Sequence, residues 1–420
     1  MSRAAAVRRK AVSPRSLTMP IETLNLPAIA GGKPLFDQLL PIASPEGLPS
    51  DEFLADVRRI IASRYLTNGS FVREFEAVCA DYLGVPHCIA AANCTSALML
   101  VLKVLDLNGE VILPSFTFHA TAHAVAWNGL TPVFTDCDRD TFCLDPDSVR
   151  GRVSKKTAAI LPVHLFGVPV AVGQFEKLAA DLRVPVIYDA AHALGTRING
   201  ARLGNFGAAE IFSLSPTKLL VAGEGGLIST RDAALARRLR SARNYGDAGD
   251  HDPDVIGLNA RMTEFHAALA LRGLAGLEDR IARRNEVRLL YERRLRRVPG
   301  LRFQHVPHDA HSACKDFAII VDEETFGRGR DWLASALAKE NIEVRRYFWP
   351  PVHRQKLYRR VWDGRPLPVT DEISDRVLCL PIYSSLRNAD VENVCDAIIR
   401  ASEYARGPFA HPRPGLERTV

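Results

Sequence analysis

The 420-residue chain reads as an α/β protein, with a large, mostly parallel seven-stranded sheet followed by a smaller α+β unit. Three observations predict this. Between residues 89 and 230, short apolar runs alternate with helical patterns, the rhythm of strand–helix–strand crossovers. The runs carry few polar residues, as strands covered on both faces must. Beyond an arginine-rich helical stretch the rhythm changes, and a second, smaller set of strands and helices begins near residue 276.

The predicted strands of the large unit are residues 89–92, 111–114, 132–136, 158–163, 184–189, 211–215 and 227–230. Helices over 96–105 and 120–127 separate the early ones. Only a lysine-bearing loop and Gly223-Glu224-Gly225-Gly226 lie between the last two strands, so that end of the sheet is expected to be antiparallel. Residues 280–297 carry many arginines, but Glu278, Asp279, Glu286 and Glu292 are interleaved with them. Val287, Leu290, Tyr291 and Leu295 recur there at helical spacing, which makes the stretch a solvated amphipathic helix rather than a nucleic-acid face. The smaller unit is expected to contain strands at 317–321 and 342–347, a helix at 331–339 and a closing helix at 391–401. The resulting division is a disordered basic extension over 1–27, a large unit over 28–275, a small unit over 276–406 and a disordered Pro/Arg-rich tail over 407–420.

The formal charge of +6 is local. Arg3, Arg8, Arg9, Lys10 and Arg15 all precede the first acid, Glu22, and the rest of the chain is close to neutral. This leader fits a disordered extension, a transit peptide or a start at Met19. No apolar run approaches the roughly 20 residues that cross a bilayer, and no secretory pattern opens the chain, so a cytoplasmic protein without membrane or nucleic-acid partners is expected. The eight cysteines form no CxxC pair and no metal-ligand spacing with histidine, which points to a reducing compartment and no metal site.

The chemistry centres on Lys218, in Ser213-Leu214-Ser215-Pro216-Thr217-Lys218. A lone lysine after an apolar strand, followed by a glycine turn, suits an amine whose proton affinity is lowered by burial so that it can capture an aldehyde. Asp189, in Tyr188-Asp189-Ala190-Ala191-His192-Ala193-Leu194-Gly195, stands at the carboxyl end of a parallel strand, where open α/β sheets bind ligands. There it can hold a proton on a pyridine nitrogen. A lysine for the aldehyde and a carboxylate for the ring nitrogen are what pyridoxal phosphate requires. Asn93-Cys94-Thr95-Ser96 joins a strand to a helix N-terminus, a ready phosphate site. Thr95 and Ser96 are its candidate phosphate ligands, with helix capping by Asn93 or Thr95 as the alternative. Either Phe116 or Phe118 could lie against the ring or in the core.

In this order the segments resemble the fold-type I pyridoxal phosphate aminotransferases, and among them the sugar-nucleotide aminotransferases of the DegT/StrS family, over roughly residues 28–405. The resemblance implies that Lys218 bonds the cofactor, Asp189 holds its ring nitrogen, Phe118 stacks on the ring, Ser213 helps bind the phosphate and His192 lies near the phenolic oxygen. Gly257-Leu258-Asn259-Ala260-Arg261-Met262-Thr263-Glu264 is similar to the segment that enters the neighbouring subunit's site, where Asn259 would contact the phosphate, so a homodimer with shared sites is implied. Cys94 departs from the family's usual glycine. Lys218 argues against the family's dehydratases, in which histidine replaces the lysine.

The expected reaction moves an amino group from an amino acid donor, glutamate first, to a nucleotide-linked keto sugar, with a 4-keto-6-deoxy sugar the nearest resemblance. Arg261, Arg345 and His353 are candidate substrate contacts, with surface charge as the alternative for each. Two other readings stay open: a same-fold enzyme acting on a cyclitol or aromatic precursor, and a non-catalytic regulator or nucleic-acid-binding protein.

Overall fold

The computed structural model describes residues 26–46 and 51–407. Most of the two segments expected to be disordered, residues 1–25 and 408–420, lies outside them. The central sheet contains β1 (His87–Ala91), β2 (Glu110–Pro114), β3 (Thr131–Thr135), β4 (Thr157–Ile160), β5 (Ile187–Asp189), β6 (Ala209–Ser213) and β7 (Gly226–Thr230). Ladders connect β1-β7-β6-β5 and β3-β2-β4. The two groups meet where Ile160 bridges Val186 and Val163 bridges Asp189, both in parallel. The order is therefore β1-β7-β6-β5-β4-β2-β3. β7 runs antiparallel to both neighbours, because its link from β6 is too short for a crossover helix.

Successive side chains feed opposite layers. Cys88, Ala90, Ile112, Phe212 and Leu227 enter one core, and Ile89, Ala91, Val111, Ile211 and Ile228 the other. Each large apolar side chain buried this way stabilises by about 1.5–3 kcal/mol, so packing on two faces, more than strand propensity, holds such short strands. Two helices stand at the carboxyl edge: α1 (Cys94–Val104) after β1 and α2 (His119–Trp127) after β2. Beyond them come α3 (Glu264–Leu274) and the arginine-rich α4 (Leu277–Leu295), which buries Val287, Leu290, Tyr291 and Leu295 as its spacing predicts, and Ile281 with them.

The C-terminal sheet, β8 (Leu301–Phe303), β9 (Phe317–Val321) and β10 (Val377–Leu380), is antiparallel in that order. Its core takes Leu290 from α4, Leu337 from α5 (Arg330–Lys339) and Ile398 from α6 (Asn388–Arg406). The strand expected at 342–347 does not form. Ile342 makes a single bridge to Leu40 and Arg345 a single bridge to Cys379. The chain then enters Trp349-Pro350-Pro351, whose prolines offer no amide to a ladder. Among the described residues no helix is long and apolar enough to cross a membrane.

Candidate active site

Asp189 ends β5 and Ser213 ends β6, so both lie at the carboxyl edge of the sheet. With the start of α1, residues 117–121, Lys218 and a loop from the C-terminal unit they enclose a cavity of about 310 Å³. The buried Asp189 carboxylate accepts hydrogen bonds from Thr121 Oγ1 at 2.8 Å and the Ala191 amide at 3.1 Å. Burial raises its pKa, and those two bonds and the nearby Lys218 oppose the rise. The half-buried Lys218 follows a tight turn in which its amide donates to Ser215 O at 2.9 Å. Burial first, and then the charge of Lys315, lower its pKa from 10.5 to about 8.

The His192 Nδ1 accepts from the Phe166 amide at 3.2 Å, which assigns the proton of the neutral ring to Nε2. Burial, then Lys218 and Lys315, hold the ring well below its ordinary pKa. It lies nearly parallel to the rings of Phe166 and Phe348, with centroids 6.1 and 6.3 Å away.

At the start of α1 the structure decides the capping question. Asn93 Oδ1 accepts from the Ser96 amide at 2.8 Å, and Ser96 Oγ donates back to Asn93 O at 2.9 Å. Ser96 therefore stabilises the turn and does not line the cavity, contrary to its expected role as a phosphate ligand, whereas Asn93, Cys94 and Thr95 do line it. The turn rests directly on β7: a Cβ at Gly226 would stand 2.5 Å from Asn93 O and 2.8 Å from the Cys94 amide nitrogen. Phe116 belongs to the core, edge-on to Phe142 and Phe166. Phe118, half exposed and lining the cavity, is the one of these two available to a ligand.

The remaining expected residues lie apart from this cavity. Asn259 is exposed and bridges Asn244. Arg261 donates to Asn244 Oδ1 at 2.7 Å and lies over Tyr245. Arg345, paired with Glu343, lines a neighbouring cavity of about 710 Å³ that shares Thr117, Phe118, Tyr347 and Phe348 with the first. His353 is corrected. It is fully buried, bonded to Ser115 Oγ at 2.7 Å with Nε2 3.4 Å from Asp371, so it braces the frame and does not face a substrate.

Sequence reasoning missed Thr117, Thr121, Lys315, Asp316, Tyr347 and Phe348, all of which line the cavity. The hydroxyl spacing Thr117-x-x-x-Thr121 at a helix start was a readable signal for the first two. Lys315 and Asp316 gave none, because their position depends on a buried arginine far away in the chain. Arg284 of α4, 1% exposed, donates to the carbonyls of Cys314, Lys315 and Ile382 and lies 3.5 Å from Glu46.

An open α/β sheet that brings a lysine of lowered pKa and a buried aspartate into one cavity at its carboxyl edge defines an amine-transferring enzyme of fold type I. The chain belongs to the DegT/DnrJ/EryC1/StrS aminotransferase family, whose model matches residues 49–399. It is 34% identical over 367 residues to the Escherichia coli dTDP-4-amino-4,6-dideoxy-D-glucose transaminase, covering 86% of this chain and 99% of that one. It is also 34% identical over 353 residues to a UDP-N-acetyl-3-dehydro-alpha-D-glucosamine 3-aminotransferase of Acidithiobacillus ferrooxidans, covering 83% and 94%. A crystal structure of DesI in the presence of its TDP-sugar product superposes with a TM-score of 0.86 at 37% identity, over 91% of this chain and 98% of that one.

Proposed function

We propose that the protein is a pyridoxal phosphate-dependent aminotransferase that carries an amino group from an amino acid, glutamate first, to a keto sugar linked to a nucleoside diphosphate. A 4-keto-6-deoxy sugar is the first acceptor to try, in line with the name of the E. coli relative, and the TDP-sugar product of the DesI complex supports a nucleotide-linked acceptor. The observation that carries this reading is the convergence of Lys218 and Asp189 on one cavity.

The residues present fit the cofactor. The first turn of α1, pressed against Gly226, brings Thr95 to the cavity that Ser213 also lines, a cradle that any side chain at 226 would obstruct. Helix N-terminal amides favour phosphate there. Pyridoxal phosphate, when bound, supplies an aldehyde that accepts an amino group and a ring that withdraws electrons. Asp189, steadied by Thr121 and Ala191, would hold the proton on the ring nitrogen. His192 would offer Nε2–H to the phenolic oxygen, and Phe118 would cover a ring face.

Lys218 does the proton work. With a pKa of about 8, roughly one amine in ten is neutral at pH 7, enough to attack a carbonyl and to take up or release a proton at Nζ. Asn259 is exposed on its segment, which suits a contact made in a second copy's site, and the reading takes the working unit as a homodimer. Arg261 and Arg345 stay as candidate diphosphate contacts, Arg345 beside Arg346 in the adjoining cavity. The reading divides the chain at residue 276, the large unit binding the cofactor and the small one closing the cavity through Lys315 and Phe348. Eight free cysteines suit a reducing, cytoplasmic setting.

The test has two arms. Borohydride reduction of the cofactor-loaded protein, followed by peptide mapping, should place the label on Lys218; label elsewhere, or none, overturns the cofactor assignment. Incubation with glutamate and a panel of nucleotide keto sugars, cyclitol ketones and aromatic precursors should give an amine product only with the nucleotide sugars, read by mass.

A further inference from the structure

An aminotransferase of this kind must admit two unlike molecules to one cavity. The amino acid brings a carboxylate on the carbon that bears its amine, so once the amine reaches Lys218 the carboxylate lies inside the cavity too. The keto sugar brings only neutral groups, its carbonyl and hydroxyls, to the same place. A carboxylate left without a cation in a partly dry cavity is unfavourable by several kcal/mol, and so is a lone ammonium facing a neutral sugar.

Among the described residues that line the cavity, the cations are Lys218 and Lys315, and no arginine is present. Lys218 is the reacting amine, so Lys315 is the cation that this chain itself offers to a carboxylate in the cavity, whatever a second copy adds through Arg261. Lys315 is 6% exposed, and its ammonium makes one hydrogen bond among the described residues, to Asp316 Oδ1 at 2.8 Å. Two of its three N–H bonds remain to be given. Asp316, 9% exposed, keeps a buried Oδ2 with no hydrogen-bond partner among the described residues. The pair is held firmly: the Lys315 amide donates to Phe166 O at 2.9 Å, and the Lys315 carbonyl accepts from Arg284 at 3.1 Å. Both charges are felt at Lys218.

We propose that Lys315 receives the carboxylate of the amino acid donor, and that its ion pair with Asp316 is the resting arrangement that lets the same cavity accept an uncharged sugar. The inference rests on the aminotransferase reading. With donor bound, the free N–H groups of Lys315 turn to the carboxylate. With sugar bound, the ammonium stays with Asp316, so no unpaired charge faces the sugar.

The experiment uses the cofactor-loaded full chain and measures the two half-reactions separately, together with calorimetric binding of glutarate, a carboxylate probe that cannot react. Lys315→Met/Asp316→Asn removes both charges with little change in volume and avoids a stranded carboxylate. It should weaken glutarate binding and raise KM for the amino acid by at least tenfold, while KM for the nucleotide sugar changes less than tenfold. Lys315→Arg should recover most of the glutarate affinity. Unchanged glutarate binding in the double variant overturns the proposal, and so does an equal loss for both substrates, which would mark the pair as a brace for the cavity. Failure of the aminotransferase reading would look different: the wild-type protein itself would form no amine from any nucleotide sugar, whatever glutarate did.

Discussion

Removing the Lys218 amine should stabilise the cofactor-free protein, and the gain should fade as pH rises. The reason is linkage. Folding lowers the Lys218 pKa from 10.5 to about 8, so between these values the unfolded chain binds more protons than the folded one and stability climbs with pH. Below pH 8 the folded state carries the full penalty, about 3 kcal/mol. At pH 9.5, where much of the unfolded-state lysine is still protonated and the folded-state amine is mostly neutral, about 1 kcal/mol remains. Lys218→Met abolishes the ionisation and keeps the side chain's bulk. Urea unfolding of both proteins without cofactor at pH 7 and pH 9.5 should show the variant's advantage shrinking by about 2 kcal/mol between the two. Any constant gain from the added apolar surface cancels in that comparison. A difference that does not change with pH would mean that the folded-state amine titrates like an ordinary lysine, and the explanation of its reactivity would fall with it.

Three further outcomes follow from the site. Asp189→Asn should keep the fold and bind the cofactor, because the amide oxygen can still accept from Ala191 while the amide NH2 donates to the Thr121 hydroxyl, which can turn to Thr117, but turnover should drop by at least about 100-fold through loss of the charge beside the ring; near-normal kcat would make the carboxylate structural. Gly226→Ala drives a Cβ to 2.5 Å from Asn93 O and should loosen cofactor binding by about tenfold or more, with a stability loss of about 1–3 kcal/mol from overpacking, read by cofactor release in dialysis and by Tm. Lys218→Ala and Asn259→Asp, each inactive alone, should regain roughly a quarter of wild-type activity when mixed under subunit exchange, since random pairing of two-fold symmetric chains leaves some sites free of both lesions; a mixture that stays dead places the whole site within one chain.

Much of the molecule was legible in the order of its residues. Each of the seven sheet strands was visible as an apolar run because a strand packed on both faces has no polar side to interrupt it. The antiparallel return of β7 was visible in the shortness of the link that precedes it. Lys218 and Asp189 stood out because each sits beside a strand end in small-residue surroundings, a local pattern that chemistry explains without knowledge of the fold.

The rest depended on hydrogen bonds that only the folded backbone sets. Ser96 and Thr95 are adjacent and chemically alike, and only the cap formed by Asn93 decides which hydroxyl faces the cavity. Asn259 and Arg261 share a short segment that lies outside the cavity, so whether they belong to a site depends on a second chain. His353 reads like a surface histidine until Ser115 and Asp371 close around it. Lys315 and Asp316 are the clearest example. In sequence they are an unremarked charged pair before a strand, and they reach Lys218 because Arg284, buried on a helix whose sequence reads as solvated, grips the carbonyls of their loop. Periodicity reports which face of an element is apolar, a local property. The direction of a polar side chain in a cavity depends on hydrogen bonds with partners on other elements of the fold, and only the assembled tertiary structure decides it.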